Sequence, residues 1–462
     1  MLDRDVIQST LNVALRGGGE FAELFAEDRQ NVSASMDDGR VEELSSGRDR
    51  GVGVRVVRGA STGFAHTADL SETGLRRAAE QAATAAGDGG GATEVTPLHE
   101  LDERGHRVRL LPETVAKSDK VQLLRAAEEA ARSAGEAISQ VTVRYGEGRR
   151  RIQIANSEGL YASDDQVRTL FIVSVVASGD AGMQTGRESV GYTVGWELFD
   201  EHSVEDIART ASARALTKLR ARPAPSGELP VVIKSGGGGV LFHEACGHGL
   251  EADLVRKGAS VFQNRMGEQV ANPLVTLVDD GTMAREWGEI AVDDEGHAAQ
   301  RNVLIEDGVL TDYMWDYLRS SEQGRPPSGN GRRQSYKHLP MVRMTNTFVT
   351  NGSEDPEEII RQTPHGVYVA QLGGGQVNTA TGDFVFGMTE AYLIEDGVLT
   401  EPLREGNLIG NGPEVLQNID ALGNDFDMGS PGMCGKDGQG VPVGDGQPTL
   451  RVSRLTVGGT AA

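Results

Sequence analysis

Apolar positions in the first half of this chain change period repeatedly, and each change marks a predicted element. Residues Asp5 to Leu15 read as a short amphipathic helix. Strand-like stretches follow at Phe21 to Ala26, Val32 to Met36 and Val41 to Leu44. The last two are joined at Asp37-Asp38-Gly39, a strong hairpin signal. Gly51 to Val57 and Ser61 to His66 predict another hairpin through Gly59. Helical spacing returns over Glu72 to Ala86 and over the Ala- and Glu-rich Glu113 to Ala134, with a Gly-rich loop at Gly87 to Thr93. Two more strands flank the turn Asn156-Ser157-Glu158-Gly159 and run on into Thr169 to Ala177, and a helix from Val204 to Leu219 closes this half. Hairpins segregated from helices predict an α+β fold, an antiparallel sheet with helices packed on one face.

Arg222-Pro223-Ala224-Pro225-Ser226-Gly227 is polar and Pro-rich, with nothing to bury, and marks the predicted boundary between domains 1–222 and 223–462. The second domain is mostly β, with one obvious helix near residue 243. Leu304-Ile305-Glu306-Asp307-Gly308-Val309-Leu310-Thr311 recurs letter for letter at Leu393 to Thr400. Each copy predicts a hairpin with Asp-Gly at its tip, a hint of pseudo-symmetric halves.

At 462 residues the chain is long enough for two or three domains with cores of their own. No apolar run approaches the ~20 residues needed to span a bilayer. The start, Met1 to Val6, lacks the basic-then-apolar layout of a secretory signal, so a cytoplasmic location is expected. A net charge of -23 argues against a nucleic-acid partner. Only two cysteines are present, Cys246 and Cys434, which cannot make a disulfide framework.

The chemistry concentrates in His243-Glu244-Ala245-Cys246-Gly247-His248. Two imidazoles and a carboxylate within six residues are the parts of a zinc hydrolase, but the usual His-Glu-x-x-His spacing is exceeded by one. On a regular helix at about 100° per residue, His243 and His248 point about 140° apart and cannot share a metal. Three arrangements repair this. The helix can carry a π-bulge, it can break at Gly247 or Gly249, or the metal can use His243 with Cys246 and leave His248 outside. The glycines around His248 favour a local distortion. The preceding Ser235-Gly236-Gly237-Gly238-Gly239 lacks the residues of a phosphate loop and suits close backbone approach beside the site.

Catalytic zinc keeps three protein ligands and an open position. Cys434, in the polar glycine-rich stretch Gly432 to Gly440, is the natural third ligand, in a loop too flexible to hide a structural thiol. A structural role suits Cys246 better. Arg343, Tyr336 and His338 are available as electrophilic helpers, although surface or packing roles outweigh that reading. The other histidines, His66, His99, His106, His202, His297 and His365, are scattered and read as solvent-facing or packed.

The chain resembles the TldD/PmbA family of metalloproteases, specifically its TldD-type subunit. The resemblance runs through Phe242 to Glu251, Asp293-Asp294-Glu295-Gly296, Arg343 to Thr347, Leu408 to Pro413 and Cys434 to Gly444, with Gly51 to Arg55 and Gly63-Phe64-Ala65 in the first half. It implies a zinc site with His243, His248 and Cys434 as ligands and Glu244 as catalytic carboxylate. It also implies a barrel-like C-terminal β domain carrying the metal-site helix. A dimer with a PmbA/TldE-type paralogue or a second copy is expected, as is hydrolysis of unfolded or leader peptides by a zinc-bound water with Glu244 as general base. Substrate is expected to bind as an added β-strand. His297 follows Asp-Asp-Glu-Gly where the family is not expected to carry a histidine, and is not read as a ligand. The rival readings are a non-catalytic peptide-binding partner subunit and a metal-dependent hydrolase of non-peptide amides. The presence of His243, Glu244, His248 and Cys434 together argues against the first.

Overall fold

The computed structural model describes residues 1–87, 93–101, 108–180 and 182–459. Most of the Gly-rich loop expected at Gly87 to Thr93, and His106, lie outside them. In the first half, the apolar segments that read as separate strands fuse into two long ones, Phe21–Asp37 and Arg40–Arg58. The polar stretches between them stay in register, with Arg29 opposite Asp49 and Asn31 opposite Gly47. Ladder hydrogen bonds join backbone to backbone, so a polar run in a strand edge or rim does not end it. The hairpin turns at Asp38 and Gly39, with φ of 45° and 77°, as the Asp-Gly pair predicts.

These strands form an antiparallel sheet in the order Ser61–Thr67, Arg40–Arg58, Phe21–Asp37, Ile138–Asn156, Leu160–Gly179, Gly182–Tyr192. The short strand His99–Glu100 adds in parallel to Leu160 and Tyr161. Helices Arg4–Leu15, Glu72–Ala86, Lys117–Arg132 and Val204–Leu219 cover one face. The long third helix is shorter than predicted because Pro112–Thr114 forms a separate 3₁₀ turn ahead of it.

Strand periodicity sorts the two faces of this sheet. Leu24 and Ala26 pack with Leu11 and Ala79 beneath the helices, and Val143 and Phe171 do so with Leu124 and Ala211. Phe25, between Leu24 and Ala26, points the other way and packs with Ile152 and Ile154 against Val292 and Tyr336 of the second half. Full burial of each such side chain contributes about 1.5–3 kcal/mol, so both faces stabilise the fold.

In the second half, five strands close on themselves: His365–Val377, Gly227–Ile233, Leu450–Gly458, Asn407–Asn411, Asp383–Glu395, and back to His365–Val377. This closed barrel bears out the barrel-like expectation and removes sheet edges that would otherwise need covering. Within the boundary segment, the expectation of nothing to bury is corrected: Arg222–Pro223 pairs in parallel with Leu403 and Arg404, and Ala224 is fully buried. Its backbone groups satisfy a barrel-side edge, a demand that composition does not reveal.

A second sheet runs Val309–Leu310, Arg301–Glu306, Leu277–Asp280, Asn346–Val349, Gln439–Gln447, and Gly432–Lys436 folds back on the last strand as a hairpin. Both copies of the octapeptide are hairpins turning at Asp-Gly, with φ of 47° and 81° at Asp307 and Gly308 and 50° and 75° at Asp396 and Gly397. One belongs to this sheet and the other to the barrel, so the repeat reflects shared turn chemistry and not symmetric halves. No helix among the described residues is long and apolar enough to cross a membrane.

Candidate metal centre

Strand Gly227–Ile233 leaves the barrel through Ser235 to Gly238 and enters a helical segment at Gly239. The segment is not the single helix expected. A four-residue α-turn, Gly239–Phe242, passes into a π-turn over His243–Gly247, then a 3₁₀ turn over His248–Leu250. The N–H of His248 donates to the carbonyl of His243, an i→i+5 bond. Of the three repairs, the π-bulge is the one present. Its wider turn brings residues five apart onto one side, and the two imidazoles meet edge to face with centroids 5.2 Å apart.

Local sequence explains why the turn sits there. Leu241, Phe242, Ala245 and Cys246 point into the large core of the C-terminal half. A Cβ on Gly247 would collide with the sulfur of Met344, so glycine lets the wide turn lie against strand-flanking Met344 without displacing that side chain. Cys246 is buried in this core, and burial raises its thiol well above the ordinary range. It is not among the residues whose potential ligand atoms converge with those of the histidines.

Cys434 approaches from the hairpin. The expectation of a flexible loop is corrected: Cys434 lies in strand Gly432–Lys436, paired with Val441, and is 3% exposed. The polar residues that suggested a loop form the turn at Asp437 and Gly438, both with positive φ. Arg343, fully buried, donates to the carbonyls of Cys434 at 2.6 Å and Gln439 at 3.2 Å, bracing both arms of the hairpin. Cys434 Sγ comes within 3.3 Å of His248 Nε2. One potential ligand atom each from His243, His248 and Cys434 all fall within 4.8 Å of one another.

The donor set fits a metal ion. Both ring nitrogens of His243 are buried and find no hydrogen-bond partner among the described residues. Burying such groups unpaired is unfavourable, and a cation ligated there would relieve it. Burial alone would raise the Cys434 thiol, but His243 and His248 outweigh it and bring it down to about 4, favouring the thiolate that soft metals prefer. Glu244 keeps 28% of its side chain exposed, with a carboxylate oxygen 3.8 Å from His248 Nε2. Burial, with Glu244 nearby, pushes Asp445 up to about 6 against the pull of His243.

Behind the cluster lies a layer that the sequence reading missed. His248 Nδ1 donates to Glu251 at 3.0 Å, Glu251 accepts from Lys436 Nζ at 2.9 Å, and Lys436 also donates to Asp253 at 2.7 Å. Despite full burial, His248 and Lys436 hold Glu251 down at about 2. The local signals existed: Glu251 is three residues from His248, and Lys436 shares a strand face with Cys434 two residues earlier. Tyr336 and His338 lie elsewhere. Tyr336 OH donates to Asp49 at 3.1 Å across the junction of the two halves, and His338 bonds to Ser335 Oγ at 2.9 Å. His297 stacks on Tyr317 away from the cluster.

A cleft of about 570 Å³ opens beside the centre, bounded by Gly239, Gln371, Gly373, Ser430, Met433 and Asp445. Its floor is the glycine-rich end of barrel strand His365–Val377.

Comparison with known proteins agrees with this architecture. Residues 22–86 match PmbA/TldA metallopeptidase domain 1, residues 110–219 the central domain and residues 226–459 the C-terminal domain. The metalloprotease TldD homolog of Buchnera aphidicola subsp. Schizaphis graminum is 38% identical over 96% of this chain and 93% of its own. The zinc metalloprotease TldD homolog of Saccharolobus solfataricus is 31% identical over 64% of this chain and 66% of its own. The fold matches the crystal structure of TldE from Thermococcus kodakarensis with a TM-score of 0.76 at 19% identity, covering 98% of this chain and 99% of that one. With domain matches along nearly its whole length and a relative this similar from end to end, the chain belongs to the TldD family of PmbA/TldA metallopeptidases.

Proposed function

We propose that this protein is a zinc-dependent metallopeptidase that hydrolyses unfolded or leader peptides. The carrying observation is the convergence of His243, His248 and Cys434 from a π-turn and a distant hairpin, with the partly exposed Glu244 carboxylate 3.8 Å from His248 Nε2. The names of the relatives support a metalloprotease, and one of them supports zinc.

In this reading His243, His248 and Cys434 hold the ion. Zinc there supplies Lewis acidity toward water and toward the scissile carbonyl. Glu244 accepts the proton of the attacking water and returns it to the leaving amine, a role that suits its partly exposed carboxylate. Glu251 fixes the ring of His248 and Lys436 fixes Glu251, which holds this ligand in its orientation. The peptide lies extended along the cleft, where backbone pairing recognises unfolded chain with little side-chain selectivity. The working unit in this reading is a dimer with a PmbA/TldE-type paralogue or with a second copy.

Replacing Glu244 with glutamine in the zinc-loaded protein tests this. The expected result is unchanged zinc content with cleavage of a denatured protein reduced by about 100-fold or more. Full cleavage by Glu244→Gln would refute the assignment of the base, and no cleavage by the zinc-loaded wild type, alone or with a paralogue, would refute the peptidase reading.

A further inference from the structure

The chain carries a net charge of -23, yet a cavity of about 280 Å³ between the N-terminal sheet and the Cys434 hairpin is walled by Arg29, Arg150, Arg168, Arg332 and Arg333. Two of these are neutralised: Arg150 by Glu27 and Asp294, and Arg333 by Glu23. Among the described residues, Arg29, Arg168 and Arg332 form no direct ion pair, although Asp294 in the same wall partly offsets Arg332 and, with Glu27, Arg29. Arg168 donates to the carbonyls of Trp287 and Glu289 and to the amide oxygen of Gln166, each at 2.9 Å. Arg332 donates to the carbonyls of Met344 and Pro442, and Arg29 only to that of Gln334 at 3.5 Å. Asp164 partly offsets Arg168, but its Oδ2 already accepts from Gln166 and from the N–H of Ala291. Even Arg333 keeps Nε and Nη1 buried with no acceptor among the described residues.

Desolvating like charges side by side is unfavourable unless an anion joins them. The strain is visible in the acidities. Burial, reinforced by Arg332 and Arg150, pushes Arg168 down to about 9, and burial pushes Arg332 down to about 10. The remaining wall mixes polar groups, among them Asp294, which is paired with Arg150, and Glu147, which is paired with Lys120, with an apolar side formed by Leu170, Trp287 and Met433. Met433 also bounds the cleft beside the metal centre, so the cleft and the cationic cavity adjoin at this residue.

We propose that this cavity is the subsite for a carboxylate carried by the peptide substrate, held by Arg168 and Arg332, with the adjoining aliphatic part against Leu170, Trp287 and Met433. Guanidinium forks match a planar carboxylate in two parallel hydrogen bonds, and every linear peptide with a free terminus brings one. The carboxylate comes from the C-terminus or from an acidic side chain near it. The inference rests on the peptidase reading and adds to it a substrate feature recognised away from the scissile bond.

The test uses one fluorescein-labelled hexapeptide in three forms: a free C-terminal acid, a C-terminal amide, and an amide ending in glutamate. Fluorescence anisotropy measures their binding to the full-length, zinc-loaded Glu244→Gln protein. At least one carboxylate-bearing form is expected to bind about tenfold or more tighter than the plain amide. Which one does so identifies the source. Arg168→Gln and Arg332→Gln are expected to bring that form to the affinity of the plain amide while leaving the amide itself unchanged. Equal binding of all three forms overturns the proposal without requiring any arginine variant to fold. An advantage that survives in both folded arginine variants overturns it as well. Failure of the wild type to cleave peptides would count against the peptidase reading, and the comparison of acid with amide would remain readable.

Discussion

His248 donates its Nδ1–H to Glu251, three residues further along the chain and 3.0 Å away, with no solvent reaching the carboxylate. That bond fixes the orientation of the ring and presents Nε2 to Cys434 Sγ at 3.3 Å. Because Glu251 also accepts from Lys436, the same carboxylate ties the π-turn to the Cys434 hairpin.

Glu251→Gln is therefore expected to weaken zinc binding by about 10- to 100-fold without removing a ligand. Competition against a chromophoric chelator measures this directly. An unchanged zinc affinity in the folded variant would remove Glu251 from the positioning of His248.

The two cysteines should part company. Cys434→Ser is expected to lose most bound zinc, because a neutral hydroxyl replaces a thiolate at the cluster. Cys246→Ser should keep its zinc but lose about 1–3 kcal/mol of stability, since an unpaired hydroxyl enters an apolar core. Metal analysis and urea denaturation on both proteins separate the roles. The reverse pattern would sink the ligand assignment.

Two glycines make different demands. A Cβ on Gly239 would strike Asp445 Oδ1 and lie 2.5 Å from the backbone nitrogen of Gly446, whereas one on Gly247 would strike only the flexible side chain of Met344. Gly247→Ala should thus be rescued in part by Met344→Ala, while Gly239→Ala has no such remedy. Thermal unfolding of the three variants checks this. A Gly247→Ala protein that is no better with Met344→Ala than without it would contradict the assigned contact.

Stability should carry a signature of Glu286. Burial, aided by Asp427 and Glu289, pushes this carboxyl up to about 7. A raised folded-state value favours the protonated form, so its stabilising share is complete below the unfolded value near 4.5 and disappears as pH rises through about 7. Glu286→Gln, which mimics the protonated form, should match the wild type in melting temperature near pH 4 and exceed it at pH 8. Parallel melting curves at all pH values would disprove the shift.

Much of the fold was legible because local pattern and local turn chemistry decide it. The helices Glu72–Ala86 and Val204–Leu219 begin and end where sequence periodicity places them, and both start at serine caps. The Asp-Gly turns at residues 38, 307, 396 and 437 all hold positive φ at the first residue of the pair. Strand lengths were less legible. The polar runs within Phe21–Asp37 and Arg40–Arg58 continue in the ladder because their neighbours in space, and not their own hydropathy, supply the pairing.

By itself the sequence determined which residues could bear the chemistry, His243, Glu244, His248 and Cys434, and that the five-residue spacing called for either a distorted helix or a His243–Cys246 pairing. It left open which distortion, because π-turn, break and His-Cys pairing differ only in how the segment packs. Tertiary structure decided that question by setting Leu241, Phe242, Ala245 and Cys246 into the core with Met344 against Gly247. It also decided where Cys434 stands, since a strand paired with Val441 and braced by Arg343 carries the thiol 186 residues along the chain to His248. Periodicity reports on neighbours a few residues apart, whereas the Glu251–Lys436 pair and the arginine cavity join segments whose meeting depends on the closing of the barrel and the packing of the N-terminal sheet against it.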